Sequence, residues 1–167
     1  MKFLIGCIIG LLILPVAGYF YFKMGRAPVA TGDGVMPFEG WAARTGLHAR
    51  LDKEMPRNVP IAASPENYAA GAKVYKDYCS GCHGFKGQDQ AAEIKGMFPK
   101  PPHLFKGKGV TDDPPGETYW KVDNGIRLSG MPSYKKVLTT EQMWQVSLLL
   151  ANADKLPAEV QPVIEGK

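Results

Sequence analysis

Three residues carry most of the chemistry open to this sequence: Cys79, Cys82 and His83, in the order Cys79-Ser80-Gly81-Cys82-His83. Two thiols flank two small residues, and an imidazole follows at once. That spacing predicts covalent attachment of a c-type haem, with the thiols adding across the two porphyrin vinyl groups and the histidine lying under the ring as the proximal iron ligand. Ser80 and Gly81 let the backbone run close to the macrocycle. Other uses of a Cys-x-x-Cys pair fit less well. A thioredoxin-like pair wants a βαβ pattern beside it, and none is visible. A zinc site wants four ligands, yet the only other cysteine, Cys7, sits in an apolar N-terminal run. Three cysteines, two of them committed to haem, make no disulfide framework.

Iron in such a haem needs a sixth ligand or an open position. Met131 is the candidate, because a thioether on a loop held between Gly130 and Pro132 suits a low-spin electron-transfer haem and raises its potential. Met97 and Met143 are its rivals, the first in a loop and the second in an expected helix, where methionine usually packs. His48 reads as a surface or packing residue and His103 as an ordinary loop histidine. Pro101 and Pro102 form a stiff backbone wall. Proline lacks an N–H but keeps an accepting carbonyl, and a carbonyl here is a candidate to receive the second ring N–H of His83, fixing the ring and raising its basicity.

The elements that must position these groups are helical. Ser64-Pro65-Glu66 is a helix start, with a capping hydroxyl and a proline at the first helical position. Tyr68, Ala72, Tyr75 and Cys79 then recur at helical spacing, and Gly84 ends the helix after the haem motif. Residues 85 to 115 read as loop. A short helix follows from the Asp112–Glu117 stretch to a terminator at Asn124-Gly125. Thr139-Thr140-Glu141-Gln142 is a capping box before an apolar helix running to about Asn152, expected to cross the first haem-domain helix with Trp144 near Gly71. Lys155 to Lys167, with two prolines, reads as a frayed tail.

Ahead of this domain, Phe3 to Phe22 is an uncharged run long enough to span a bilayer as a helix. Tyr19, Phe20, Tyr21 and Phe22 stand where an aromatic belt belongs, and Pro15 is tolerated in a membrane helix. The competing assignment is a signal peptide cut near Val16-Ala17-Gly18, which would leave an aromatic-rich new terminus; we read a retained anchor. Lys23 and Arg26 against Lys2 slightly favour a cytoplasmic C-terminal flank, a bias of one or two charges that yields to the periplasmic location implied by the resemblance described below. The expected order is a single transmembrane anchor (or uncleaved signal sequence) over 1–23, a linker with a short helix around Phe38–Leu51 over 24–63, a haem domain over 64–155, and a flexible tail over 156–167.

The length of 167 residues suits one domain with an appendage. A net charge of +4 is too mild for a nucleic-acid binder. From Ser64 onward there are 13 basic and 12 acidic residues, so steering of an acidic partner by Lys86, Lys106, Lys108, Lys135 and Lys136 is a weak expectation.

Taken together, Gly71-Ala-Lys-Val-Tyr75 leading into the Cys79–His83 motif, then Pro101-Pro102, Asn124-Gly-Ile-Arg127, Gly130-Met-Pro132 and a terminal helix with Trp144 resemble the class I c-type cytochromes over about Ser64 to Ala153. The modules they are similar to include haem-c subunits of respiratory oxidases. The resemblance implies an all-α cytochrome c-like domain around one covalent haem c. It implies Cys79 and Cys82 as thioether attachments, His83 and Met131 as axial ligands, no catalytic residues, and a periplasmic location. The expected function is one-electron transfer by a membrane-tethered monohaem cytochrome in a respiratory chain, exchanging electrons with a membrane oxidase, reductase or dehydrogenase. The alternative is an electron-transfer subunit fixed within such a complex. A peroxidase or gas sensor is a third possibility and requires a displaceable sixth position.

Overall fold

A computed structural model describes residues 2–167, all helix, turn and loop, with no strand among them. The chain divides into two compact units, 1–44 and 45–167. In the first, helix α1 (Lys2–Lys23) is uncharged between its terminal lysines, contains Pro15, and keeps its span side chains outside any protein core. Its 22 residues rise about 33 Å at 1.5 Å each, enough for a hydrocarbon core of about 30 Å. Helix α2 (Glu39–Glu54) is longer than the short helix expected; Trp41 near its start is 65% exposed.

The haem unit begins earlier than Ser64. Leu51 is 2% exposed, Trp120 Nε1 donates to Glu54 at 3.3 Å, and Gly116 lies so close to the Pro56 carbonyl that a Cβ there would collide. Residues 45–63, expected as linker, therefore pack into this unit. Helix α3 (Pro65–Val74) starts as its sequence predicts, with Ser64 capping Asn67 N–H. A π turn over Tyr75–Cys79 and the short α4 (Ser80–His83) continue it to Gly84, whose φ of 77° ends the run. Short α5 (Ala92–Lys95) interrupts the long loop that follows. Helix α6 (Pro115–Asn124) stops at Gly125, φ 70°, and α7 (Thr140–Ala151) opens on the complete capping box of Thr139 and Gln142.

Helices α3 and α7 cross at Gly71, where an added Cβ would strike the backbone carbonyl of Gln145. Only glycine permits that approach. The Trp144 ring turns the other way and stacks on Tyr119 of α6, centroids 4.3 Å apart and 16° between planes. Ala72, Val74 and Tyr75 meet Val122, Met143, Val146, Leu149 and Leu150 in one core.

The C-terminal segment is not a loose tail. Leu156, Val160 and Ile164 recur every four residues and are buried in that core, Ile164 completely. They ride on a 3₁₀ turn (Ala158–Val160) and α8 (Gln161–Ile164). Pro157 caps the first turn and Pro162 sits at the start of α8, positions where a missing N–H costs nothing. The prolines that suggested disorder instead start the segment's turns.

Candidate cofactor-binding site

The π turn leads directly into the motif. Its wider turn, closed by Ser80 N–H on Tyr75 O, shifts the register in which Cys79 and the following residues leave the helix. Cys79 is half-buried and packs on the core, whereas Cys82 is exposed. Burial, reinforced by the neighbouring Cys82 thiol, pushes the Cys79 thiol up to about 12. Among the described residues no three His, Cys, Asp or Glu side chains gather as a metal-ion cluster, which leaves the zinc reading without its further ligands.

His83 Nδ1 lies 2.7 Å from the carbonyl oxygen of Pro102. That oxygen can only accept, so Nδ1 carries the proton and Nε2 is left with its lone pair free. Burial lowers the His83 pKa, against the opposing Pro102 hydrogen bond, and so favours the neutral ring a metal ligand requires. The proline wall thus does what its position suggested. The turn beneath it is also held by Tyr75, fully buried, whose hydroxyl donates to Gly84 O at 2.5 Å and whose ring meets Phe105 edge-on. Burial, then the nearby Cys79, raises the Tyr75 pKa and keeps it a donor.

Met131 comes from a separate, tightly closed loop. Ile126 N–H donates to Met131 O at 3.1 Å, Ser129 Oγ donates to Ile126 O and accepts from Met131 N–H, and Gly125 leaves no room for a Cβ beneath Pro132 and Ser133. Met131 and Cys79 both lie half-buried against the same core. Three residues on, Tyr134 donates to Tyr78 O at 2.9 Å, tying this loop to the residue before Cys79. Burial raises the Tyr134 pKa, and the two thiols raise it further, so the phenol stays protonated and able to donate. Met97, the loop rival, rests its methyl against Gly130; Met143 is 2% exposed in the core. His103 is fully committed, Nε2 donating to Gln88 O and Nδ1 accepting from Phe105 N–H, and His48 is exposed on α2.

The donor set fits a c-type haem. Two thiols and an imidazole with free Nε2 stand on one turn, a thioether loop is pinned beside it, and Leu104, Phe105, Val110 and Tyr119 lie half-buried on the core nearby, apolar surface of the kind a flat macrocycle covers. Of the lysines expected to steer a partner, Lys86 bonds to Gln161 and Lys108 and Lys135 lie 3.7 and 3.6 Å from Asp112 and Asp123, which weakens that role. Tyr75, Tyr134 and Gln90 contribute to the site without having been singled out for it; helical spacing marked Tyr75 as a core residue, but nothing marked its hydroxyl.

Residues 66–148 match the family described as cytochrome c oxidase, cbb3-type, subunit III. The chain is also 30% identical over 107 residues, 59% of its length, to the cbb3-type cytochrome c oxidase subunit FixP of Sinorhizobium medicae (strain WSM419), of which it covers 34%. It therefore spans about a third of that curated relative. A single Cys-x-x-Cys-His motif in an all-helical domain, preceded by one apolar helix and similar over residues 66–148 to this family, supports a membrane-anchored monohaem c-type cytochrome domain with covalent haem c as its cofactor.

Proposed function

We propose that this protein is a one-electron carrier, tethered by α1, whose haem-c domain delivers electrons within a respiratory oxidase assembly. Cys79 and Cys82 would hold haem c covalently, and His83 and Met131 would ligate its iron. The observation that carries the assignment is the 2.7 Å approach of His83 Nδ1 to Pro102 O, because it leaves Nε2 as the one free imidazole donor directly after the two thiols. Haem c, when bound, supplies an Fe(II)/Fe(III) couple. The chain's own contribution is to hold the His83 ring with Nε2 free, to present the Met131 thioether from a closed loop, and to seat Cys79 and Met131 against one apolar core. With His83 and Met131 both committed to the iron, no position on it would stay open to a substrate, which is what a carrier requires.

The haem domain lies on the periplasmic side of the bacterial cytoplasmic membrane, where haem is attached to such motifs. The free-carrier reading and the subunit reading share all of this chemistry. The family match to an oxidase subunit favours the subunit; membrane oxidases, reductases and dehydrogenases are the partner class. A reduced-minus-oxidised spectrum of membranes, followed by purification in mild detergent, tests both. A low-spin c-type spectrum that migrates with a larger complex supports the subunit, and migration as a monomer supports the carrier. Carbon monoxide binding by the reduced wild-type protein would overturn the carrier function itself.

A further inference from the structure

The proline wall is fastened to the haem motif by one side chain. Gln90 is 8% exposed, and its Nε2 donates to Cys82 O at 2.7 Å and to Pro101 O at 3.0 Å. Both partners are carbonyl oxygens, so the amide nitrogen, with its two hydrogens, must be the atom that faces them. The two carbonyls flank the pair that matters: Cys82 immediately precedes His83, and Pro101 immediately precedes Pro102, whose carbonyl takes the His83 Nδ1 proton. The stem of Gln90 also passes Gly84, where a Cβ would come within 3.3 Å of Gln90 Cγ and 3.0 Å of His103 Nε2. Gln90 therefore contacts the residues on both sides of His83. Pro101 and Pro102 border an open cleft of about 600 Å³, which Gln90 and His103 line together with Asp89, Lys95, Lys100 and Lys106.

We infer that Gln90 is the positioning residue of the proximal ligand: its amide sets the register between the haem turn and the proline wall, and through it the strength of the His83–Pro102 hydrogen bond. The inference rests on His83 being the iron ligand. A firm Nδ1–H···O=C bond makes the imidazole a stronger donor to iron and favours the ferric state. Loosening it raises the reduction potential and exposes Nδ1–H to solvent.

The test uses the full-length matured protein in detergent, with two readouts: the midpoint potential, and solvent exchange of the His83 Nδ1 proton followed by NMR. Gln90→Met keeps the volume and removes both donors; the expected result is a higher potential and exchange faster by about tenfold or more, one hydrogen bond's worth. Gln90→Glu should show the same faster exchange while ionised, its added charge acting against the rise in potential, and recover part of the wild-type exchange rate on acidification, when the protonated carboxyl regains one donor. That pH dependence, absent in Gln90→Met, separates a hydrogen-bonding role from packing. Should Gln90→Met fail to retain pigment, Gln90→Asn carries the same test with a shortened reach. Unchanged exchange and potential in these variants, in a protein whose covalent haem and His ligation are intact, overturn the inference alone. A wild-type protein without covalent haem, or one whose iron ligation survives His83→Ala, overturns the underlying assignment instead.

Discussion

The two sides of the candidate haem site are built differently. On the His83 side a helix runs straight into the motif, and its turn is held by side chains reaching from elsewhere: Tyr75 to Gly84, Gln90 to Cys82 and Pro101, and the Pro102 carbonyl to the imidazole. On the Met131 side the loop closes through short-range contacts of Ile126, Ser129 and Gly125, is joined to α6 by Ser133 Oγ on Asp123 O and Tyr134 N–H on Val122 O, and carries Leu128 at a positive φ of 61° and 91% exposed. One long-range hydrogen bond, Tyr134 to Tyr78, joins it to the other side. The lesson is about which of the two proposed ligands is easier to lose. The His83 turn is held by Tyr75, Gln90 and the Pro102 carbonyl at once, whereas the Met131 loop, closed mainly by short-range bonds and exposed at Leu128, can shift its thioether while the core stays folded.

Substitutions that break this contrast follow in order of size. Replacing both Cys79 and Cys82 by Ala abolishes covalent attachment; acid–acetone extraction then frees all pigment, where wild type keeps it. Met131→Ala leaves haem attached and the helices folded but opens the sixth position, so the reduced protein binds carbon monoxide; retention of a closed, low-spin spectrum would reveal Met97 as a substitute ligand. Tyr134→Phe removes the link between the two sides and costs about 1 kcal/mol, read from the denaturant midpoint, with a larger effect on closure of the Met131 side than on His83. Gly130→Ala presses on the flexible end of Met97 and costs at most about 1 kcal/mol; combining it with Met97→Ala relieves the cost, a coupling that a double-mutant cycle measures.

Outside the site the same physics applies to backbone contacts. Gly71→Ala meets the Gln145 carbonyl, not a mobile side chain, so the α3–α7 crossing must open, and a loss of about 2–3 kcal/mol is expected by thermal or chemical denaturation.

Much of this architecture was legible in the residues because it depends on local rules. The Ser64 cap, the Thr139–Gln142 capping box, the Asn124-Gly125 stop and the Cys79–His83 motif each act within a few positions, where residue type and spacing suffice. The apolar run of α1 is legible for the same reason, since length and hydropathy alone decide whether a helix can span a bilayer. What only the tertiary structure decided involves partners far apart in the chain: Gln90 bridging the haem turn and the proline wall, Tyr134 reaching Tyr78, residues 45–63 joining the haem unit, and Leu156, Val160 and Ile164 completing the core. A hydrogen bond or a buried contact between distant positions leaves no periodicity to read. Its existence depends on how the intervening loop closes, and that is settled by the packing of the whole domain.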